Sequence, residues 1–564
     1  MHLFENQTGE GRPARLAGGI GSLPGYLLLS VLLGLVFLGL VTAGNARASS
    51  GSQPPMILPS NASASSTGAG TGSSGWIVGG IPGPTTDRIA ESVGASEIGA
   101  RLGSYRVPRD GANRLASRLR SAGQLVYAEP DVPVTRSGYP TDKYSAEQWW
   151  LDRIVNPGDV TPPAVTGQSP LIAVVEESLD PLHPDLLAAN LTGSKSLDPD
   201  ADWHGTAIAG IIGSPGEDQG IRGVWPGARM QLFASGLTCS TASKAVTKAA
   251  NKGAAVINMS YTLPARSCFT HFVATQYAVR KGSIPVAAAG NSGDSGNAPM
   301  RPAVDPHVIS VGAVDDKSVL APFSTRNAGV DIVAPGASVY APNVRQNAGG
   351  IERTWDYLSG TSFAAPMVSA TAAWLKQARP ELGNLQIASL LTSSATDLGE
   401  PGRDSDYGEG LLSIESSLTA PNPPLDPYEP NDDIKWINGT LVKPKSPFLW
   451  KAGVGKRRLL NATLSRAKDP ADVYRVMIPA RRRIVVNVGQ LEGDIVLSAL
   501  KPQAKSISKP GKNLIVRSNR PYPKTEGIVV RNLKKRAQTI WLALTPSSTQ
   551  AGNDTRYRIK VVRR

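Results

Sequence analysis

Cysteine is nearly absent from this chain: Cys239 and Cys268 are the only two in 564 residues. At most one disulfide can form, so a scaffold stapled by several bridges is excluded. The two residues lie on nearby segments, and in an exported protein they are expected to pair, closing a loop of about 30 residues. Two buried free thiols are the alternative. Aromatic residues make up only 6% of the chain. They do not interleave with basic residues in the pattern that stacks on single-stranded nucleic acid, so no nucleic-acid partner is expected. Glycine (58) and proline (45) are plentiful, as in loop-rich secreted proteins. Basic residues are concentrated in one region. From Pro421 to Arg564 there are 29 Lys and Arg against 10 Asp and Glu, a balance near +19, whereas the whole chain carries +14. The first three quarters are therefore slightly acidic, and a partner attracted by charge should meet the last quarter.

The N-terminus is organised for export. Residues 1–24, with Arg12 and Arg15, precede an apolar run of about 19 residues at 25–43, long enough to span a bilayer. The flanking basic residues favour a cytoplasmic N-terminus with the remainder outside the cytoplasmic membrane, secreted or membrane-anchored. Ala46-Arg47-Ala48 has the small-x-small pattern of a cleavage site, so the run reads either as a signal or as an anchor. Residues 49–75 are rich in Ser, Gly, Ala, Thr and Pro and read as a flexible tether.

The chemistry is concentrated in four later stretches. Ser362 follows Gly360-Thr361 and opens a small, apolar, Ala-rich run, a context suited to a nucleophile at a helix start. A simple helix cap is the plainer reading of that serine. His204 opens another small-residue helix, and Asn291 follows a strand ending in Gly290. Val256 to Tyr261 reads as a buried strand ending in polar residues. Leu171 to Val175 is a continuous aliphatic run, and similar strands recur near Met230, Val256, Ile284, Val308 and Ile332. Alternation of such strands with helical stretches predicts a doubly wound parallel sheet, an α/β fold with its site at strand C-terminal ends.

With these motifs in this order, the chain from about Gln148 to about Leu418 resembles the subtilases, the subtilisin-like serine proteases. The resemblance implies a catalytic domain over 143–420. It implies a His204 base, a Ser362 nucleophile and an oxyanion contact from Asn291. Substrate is implied to lie along Ser260, Tyr261 and Thr262 and beside Gly290. The family's acid is an Asp directly after the first strand, followed by His-Pro-Asp-Leu. Here His183-Pro184-Asp185-Leu186 fixes the register and puts Glu176 at the acid position. Glu keeps the charge but lengthens the arm by about 1.5 Å, and a misplacement near 1 Å can cost roughly a hundredfold in rate. The expected activity is therefore a serine endopeptidase, and the alternative is an impaired subtilase-like envelope protein that binds peptides. Asp180 is an alternative acid whose register matches a non-catalytic position. Thr262 stands where the family commonly has Gly, which predicts a narrowed cleft. No cofactor is required; calcium is allowed, with Asp185 as the matching ligand position and Glu217-Asp218-Gln219-Gly220 as a poorly matching companion loop.

Two flanking domains complete the expectation. Residues 76–140 carry a helical stripe at Ala112, Leu115, Leu119 and Ala122, then the strand-like Gln124 to Ala128 and Glu129-Pro130-Asp131. This resembles the small α+β inhibitor propeptide of subtilases, which implies a zymogen whose own propeptide is a partner. An ordinary small α+β domain is the alternative. After the Pro-rich break at Ala420 to Pro424, residues 426–564 contain Asp426-Pro427-Tyr428-Glu429-Pro430-Asn431-Asp432 and Asp469-Pro470-Ala471-Asp472-Val473-Tyr474. These resemble the all-β sandwich that follows bacterial secreted peptidase domains. Arg481-Arg482-Arg483 and Lys534-Lys535-Arg536 read as solvated strand-edge charges. The excess positive charge suggests attraction to a membrane or anionic cell envelope.

Overall fold

A computed structural model describes residues 75–98, 103–131, 143–155, 160–193, 199–216, 220–426, 428–441, 443–451, 455–490, 492–547 and 554–564. The apolar run 25–43, the Ala46-Arg47-Ala48 motif, residues 217–219 and nearly all of the tether lie outside the described residues. Among those described, no helix is long and apolar enough to cross a membrane. The chain divides into two compact units, Met1–Thr135 and Arg136–Arg564.

The described part of the first unit runs β1 (Gly75–Gly80), α1 (Pro84–Glu91), β2 (Ser96–Glu97), β3 (Ser104–Pro108), α2 (Arg109–Ser121) and β4 (Leu125–Asp131). The strands form one antiparallel sheet in the order β2-β3-β1-β4. The predicted stripe holds for Ala112, Leu115 and Leu119, which are buried against Val78, Tyr105 and Val107. Ala122 departs from it: the helix ends at Ser121, and Ala122 is an exposed cap ahead of Gly123.

The second unit contains the predicted doubly wound sheet. Its strands are β5 (Ile172–Val174), β6 (Leu191–Thr192), β7 (Met230–Leu232), β8 (Val256–Met259), β10 (Ile284–Ala288), β12 (Ile309–Val314) and β13 (Ile332–Pro335), while β9 (Leu263–Pro264) and β11 (Met300–Arg301) pair separately. The order is β13-β12-β10-β8-β5-β7-β6, with every pairing parallel. Burial on both faces explains the unbroken aliphatic runs. Ile172 and Val174 pack towards helices α3 (Pro199–Gly213) and α6 (Thr361–Ala378). Leu171, Ala173 and Val175 pack towards α4 (Cys239–Lys252) and α5 (Phe269–Arg280). Chain order reverses between the neighbours β5 and β8, and this switch point is where open α/β sheets collect ligands. A long hairpin, β14 (Val339–Asn347) with β15 (Gly350–Leu358), leads into α6.

Cys239 and Cys268 are joined, as expected, with Cα atoms 5.4 Å apart across a separation of 29 residues. The bridge ties the start of α4 to the turn before α5. Closing a loop of that length is worth about 3–4 kcal/mol in the chain-entropy account.

The rest is a sandwich of nine strands: β16 (Phe448–Trp450), β17 (Arg457–Ser465), β18 (Asp472–Ile478), β19 (Arg483–Gln490), β20 (Ile495–Leu500), β21 (Leu514–Ser518), β22 (Glu526–Arg531), β23 (Gln538–Pro546) and β24 (Asp554–Arg563). Sheets β16-β18-β23-β20-β21 and β17-β24-β19-β22 enclose one aliphatic core. The triplet 481–483 leads into β19 and 534–536 precedes β23, in keeping with charges at strand edges.

Candidate active site

The candidate acid comes first in the chain. Glu176 stands two residues past β5, in a turn fixed by backbone bonds from Val175 N to Asn258 O (3.1 Å) and from Ser235 N to Glu176 O (2.8 Å). It is 2% exposed. Its Oε2 lies 2.9 Å from His204 Nδ1, the length of a charge-assisted hydrogen bond. Its Oε1 is buried without a hydrogen-bond partner.

His204 sits on α3, and the helix can approach the acid turn because the next residue is glycine. A Cβ at Gly205 would stand 2.0 Å from the carbonyl oxygen of Ser178. Thr206 fastens the same contact by accepting from the Asp180 amide (2.8 Å). Burial lowers the tendency of His204 to protonate, but the charge and hydrogen bond of Glu176, aided by Glu177, outweigh it and raise its pKa above the ordinary value.

Ser362 is the second residue of α6. The run that follows is almost wholly buried, and its alanines let the helix pass through the core between the sheet and α3. The backbone N–H of Ser362 is one of the first-turn donors that a helix leaves without an intrahelical acceptor. The Ser362 hydroxyl donates to the Ser260 carbonyl at 3.1 Å. No hydrogen bond joins Ser362 to His204 among the described residues. The imidazole lies beside the same helix start, 5.8 Å from the Phe363 ring between centroids.

Asn291 is oriented from behind. Its Oδ1 accepts from both the amide and the hydroxyl of Thr361 (each 2.9 Å), which leaves Nδ2 as the outward donor. The preceding Gly290 has φ of 111°, a conformation that favours glycine. Its amide donates to Thr361 Oγ1 (3.2 Å).

The remaining predicted positions divide. The Ser260 carbonyl and hydroxyl both contact Ser362, the hydroxyl donating to the Ser362 carbonyl at 2.8 Å. Thr262 is exposed, and its Cγ2 would lie 3.5 Å from a Cβ at Gly290, with Met300 Cγ at 3.7 Å. Tyr261 turns its side chain into the core, where its hydroxyl meets His271 Nε2 at 2.8 Å, so a substrate contact from this residue would come from its backbone. Asp180 is not a substitute acid. It pairs with Arg353 (2.6 Å) and accepts from the Leu182 amide (2.9 Å).

Asp185, the calcium position, is buried with Oδ2 accepting from the Trp355 indole at 2.5 Å, and it stands in no cluster of metal-ligating groups among the described residues. Its neighbour His183 is pulled down to about 4 by burial; neutral, it reaches the Thr354 carbonyl through Nε2 and the Asp185 amide through Nδ1. Ligand atoms spaced for a cation occur instead where the α/β body meets the sandwich, in the groups His307–Glu429–Asp432 and Asp426–Glu429–Asp469. His307 lies at the start of β12, the opposite end of the sheet from Glu176. Burial opposes its charge, but Asp432 and Glu429 push it up to about 10.

Sequence reasoning missed Asn258, which is fully buried. Its Nδ2 donates to Ser260 Oγ (3.0 Å), and its Oδ1 accepts from Ser369 Oγ (2.9 Å), tying β8 to α6 behind the serine. A polar residue inside an otherwise aliphatic strand was the available signal. The arrangement of carboxylate, imidazole, hydroxyl and amide donor is suited to nucleophilic acyl transfer.

A model of the subtilase family matches residues 167–410. The chain is 34% identical over 304 residues to an alkaline protease of Alkalihalobacillus alcalophilus, covering 52% of this chain and 74% of that protein. It is 35% identical over 280 residues to Subtilisin Savinase of Lederbergia lenta, covering 48% and 97%. Among solved structures, Sphericase is 29% identical with a TM-score of 0.40, covering 47% of this chain and 97% of that one.

The fit of Gly205 against Ser178 is directly testable. A Gly205→Ala variant should lose about 1–3 kcal/mol of stability through overpacking, together with the downfield proton resonance of the His204–Glu176 hydrogen bond. Chemical denaturation and proton NMR read the two effects, and a variant keeping both at wild-type values would refute the constraint.

Proposed function

The chain belongs to the subtilase family of serine proteases, and from that premise we propose that it is an exported serine endopeptidase in which Glu176 takes the acid's part. The observation that carries the reading is the 2.9 Å contact between Glu176 and His204: the longer arm delivers its carboxylate to the imidazole at an ordinary hydrogen-bond length.

In this reading the Ser362 hydroxyl turns from the Ser260 carbonyl towards His204 when a peptide occupies the cleft; catalytic hydrogen bonds often tighten only with substrate bound. His204 takes the proton as Ser362 Oγ attacks the peptide carbonyl, and the tetrahedral oxyanion is met by Asn291 Nδ2 and the Ser362 amide. His204 then protonates the leaving amine, and the acyl ester is cleaved by water through the same base. Glu176 fixes the imidazole and stabilises its charged form. Because Oε1 has no hydrogen-bond partner, the bond from the imidazole to Oε2 is the one that engages this carboxylate among the described residues.

Residues 76–140 are proposed as the inhibitor propeptide, and 25–43 as the export segment that delivers the enzyme outside the cytoplasmic membrane, cut or retained. The basic sandwich holds it near an anionic envelope. A peptide-binding protein without turnover is favoured by one observation, the Ser362 hydroxyl engaged with Ser260 rather than His204.

Labelling separates the two readings. A fluorophosphonate should modify mature wild-type protein and not Ser362→Ala; absence of labelling on the mature form favours the binding protein. The raised pKa of His204 also fixes a pH dependence, because a general base works only when neutral. kcat/KM should rise with pH through a midpoint above about 6.5. Removing the Glu176 charge leaves burial to dominate, so Glu176→Gln should move that midpoint below about 6.5 and cut kcat by roughly 10³–10⁴. An unmoved acid limb would count against Glu176 as the partner. Thr262 and Met300 crowd the space beside Gly290, so a peptide library should show preference for small side chains before the cut bond; broad acceptance of large ones would refute a narrowed cleft.

A further inference from the structure

The sandwich's charge is sorted by end, and strand register shows how. β17 begins with Arg457 and Arg458 opposite Val562 and Val561 of β24. β19 begins with Arg483, paired with Arg531 at the end of β22. Backbone bonds gather the flanking turns at this same end: Arg481 N to Lys534 O (3.1 Å), Asn532 N to Arg482 O (2.8 Å), and Arg564 N to Arg483 O (2.9 Å). Arg563 N donates to the carbonyl of Lys456 (3.0 Å), which brings in the turn before β17.

Three basic triplets therefore converge: 456–458, 481–483 and 534–536. With Arg531, Arg563 and Arg564 they make twelve cationic side chains, all exposed. No Asp or Glu occurs in 456–464, 479–487, 527–538 or 557–564. The acids collect at the other end, where β18 begins at Asp472, β22 at Glu526 and β24 at Asp554. That end also meets the peptidase body, through the Lys468–Asp331 ion pair (2.9 Å) and His307. The twelve cations take no part in those contacts and all stand exposed.

At its tip stands an apolar side chain. Leu533 is 86% exposed, the most exposed large hydrophobic residue among those described, and is followed directly by Lys534, Lys535 and Arg536. Solvated edge charges explain single lysines, but not twelve cations on one pole around an uncovered leucine. Cations around a protruding apolar tip fit a membrane interface, where the headgroups take the charge and the acyl boundary takes the side chain.

We propose that this pole of the sandwich is a docking surface for anionic phospholipid membrane, with Leu533 inserting at the headgroup boundary. The inference deepens the envelope part of the function proposed above and rests on export. Its test reads binding rather than turnover, so its failure leaves the peptidase assignment standing.

The full chain carrying Ser362→Ala, to prevent self-cleavage, is mixed with vesicles of phosphatidylcholine alone or with 30% phosphatidylglycerol (about a third) and sedimented. Any contribution of the apolar run 25–43 is common to both vesicles, so the phosphatidylglycerol-dependent increment isolates the pole. That increment should be large at low salt and fall steeply with ionic strength. Lys534→Ser/Lys535→Ser/Arg536→Ser should reduce it roughly a hundredfold, and Leu533→Ser should weaken it while preserving its salt dependence. These exposed substitutions leave the core untouched, and circular dichroism verifies folding. The proposal is overturned if the increment is absent, if the triple variant retains it, or if Leu533→Ser changes nothing while soluble polyphosphate competes fully. That last result would assign the pole to a polyanionic polymer instead.

Discussion

The site depends on a distance fixed from both sides. Glu176 leaves a strand end whose amides and carbonyls are bound to β8 and to the chain after β7. His204 rides a helix seated on that turn through Gly205 and Thr206. Neither backbone is free to approach the other, so the acid's length decides whether contact is made. From the same Cα, an aspartate would fall about 1.5 Å short. On this geometry the longer arm of glutamate spans the gap, as the acid role proposed for Glu176 requires.

Which of the neighbouring acids serves the imidazole is decided by the partners the others hold. The turn from Glu176 to Asp185 carries four carboxylates, and any of them near an imidazole would raise its basicity. Asp180 is held by Arg353 from the hairpin, and Asp185 by Trp355 two residues along the same strand. The hairpin thus takes up two of the buried carboxylates and leaves the third, Glu176, facing His204. Glu177 points into solvent and acts only through its field. The long β14–β15 hairpin, which leads directly into the serine helix, is in this sense also part of the surroundings of Glu176.

What the sequence made legible is what local pattern encodes. Strands buried on both faces appear as unbroken aliphatic runs, and helices that must pass closely appear as runs of small residues. Hence the sheet and the small-residue helices α3 and α6 were readable. Interactions joining residues 100 or more positions apart left little trace. Examples are Ser260 with Ser362, Arg353 with Asp180 and Trp355 with Asp185, each pair distant in the chain. That the Tyr261 side chain faces the core was not legible either, because a strand end alternates between cleft and core and nothing local says which face a tyrosine takes. In the first unit, β1 and α1 escaped notice because Gly79, Gly80 and a short polar helix carry weak periodicity.

Net charge hid a different kind of information. A sum of +19 over the last quarter describes a diffuse basic domain, and composition can say no more. Antiparallel strands convert position along the chain into position along the sandwich, so residues at strand starts and ends are sorted to opposite poles. The acidic pole meets the peptidase body, where burial pushes Asp426, Asp469 and Asp472 well above the usual carboxylate range and His307 is held charged between Glu429 and Asp432. Two cations stand in this junction: His307, from the body, meets Glu429 and Asp432, and Lys468, from the sandwich, meets Asp331. The field that remains uncompensated is the one at the far pole. Orientation of the whole unit therefore follows from strand register: acids inward where counter-charges await them, bases outward where water or an anionic surface must.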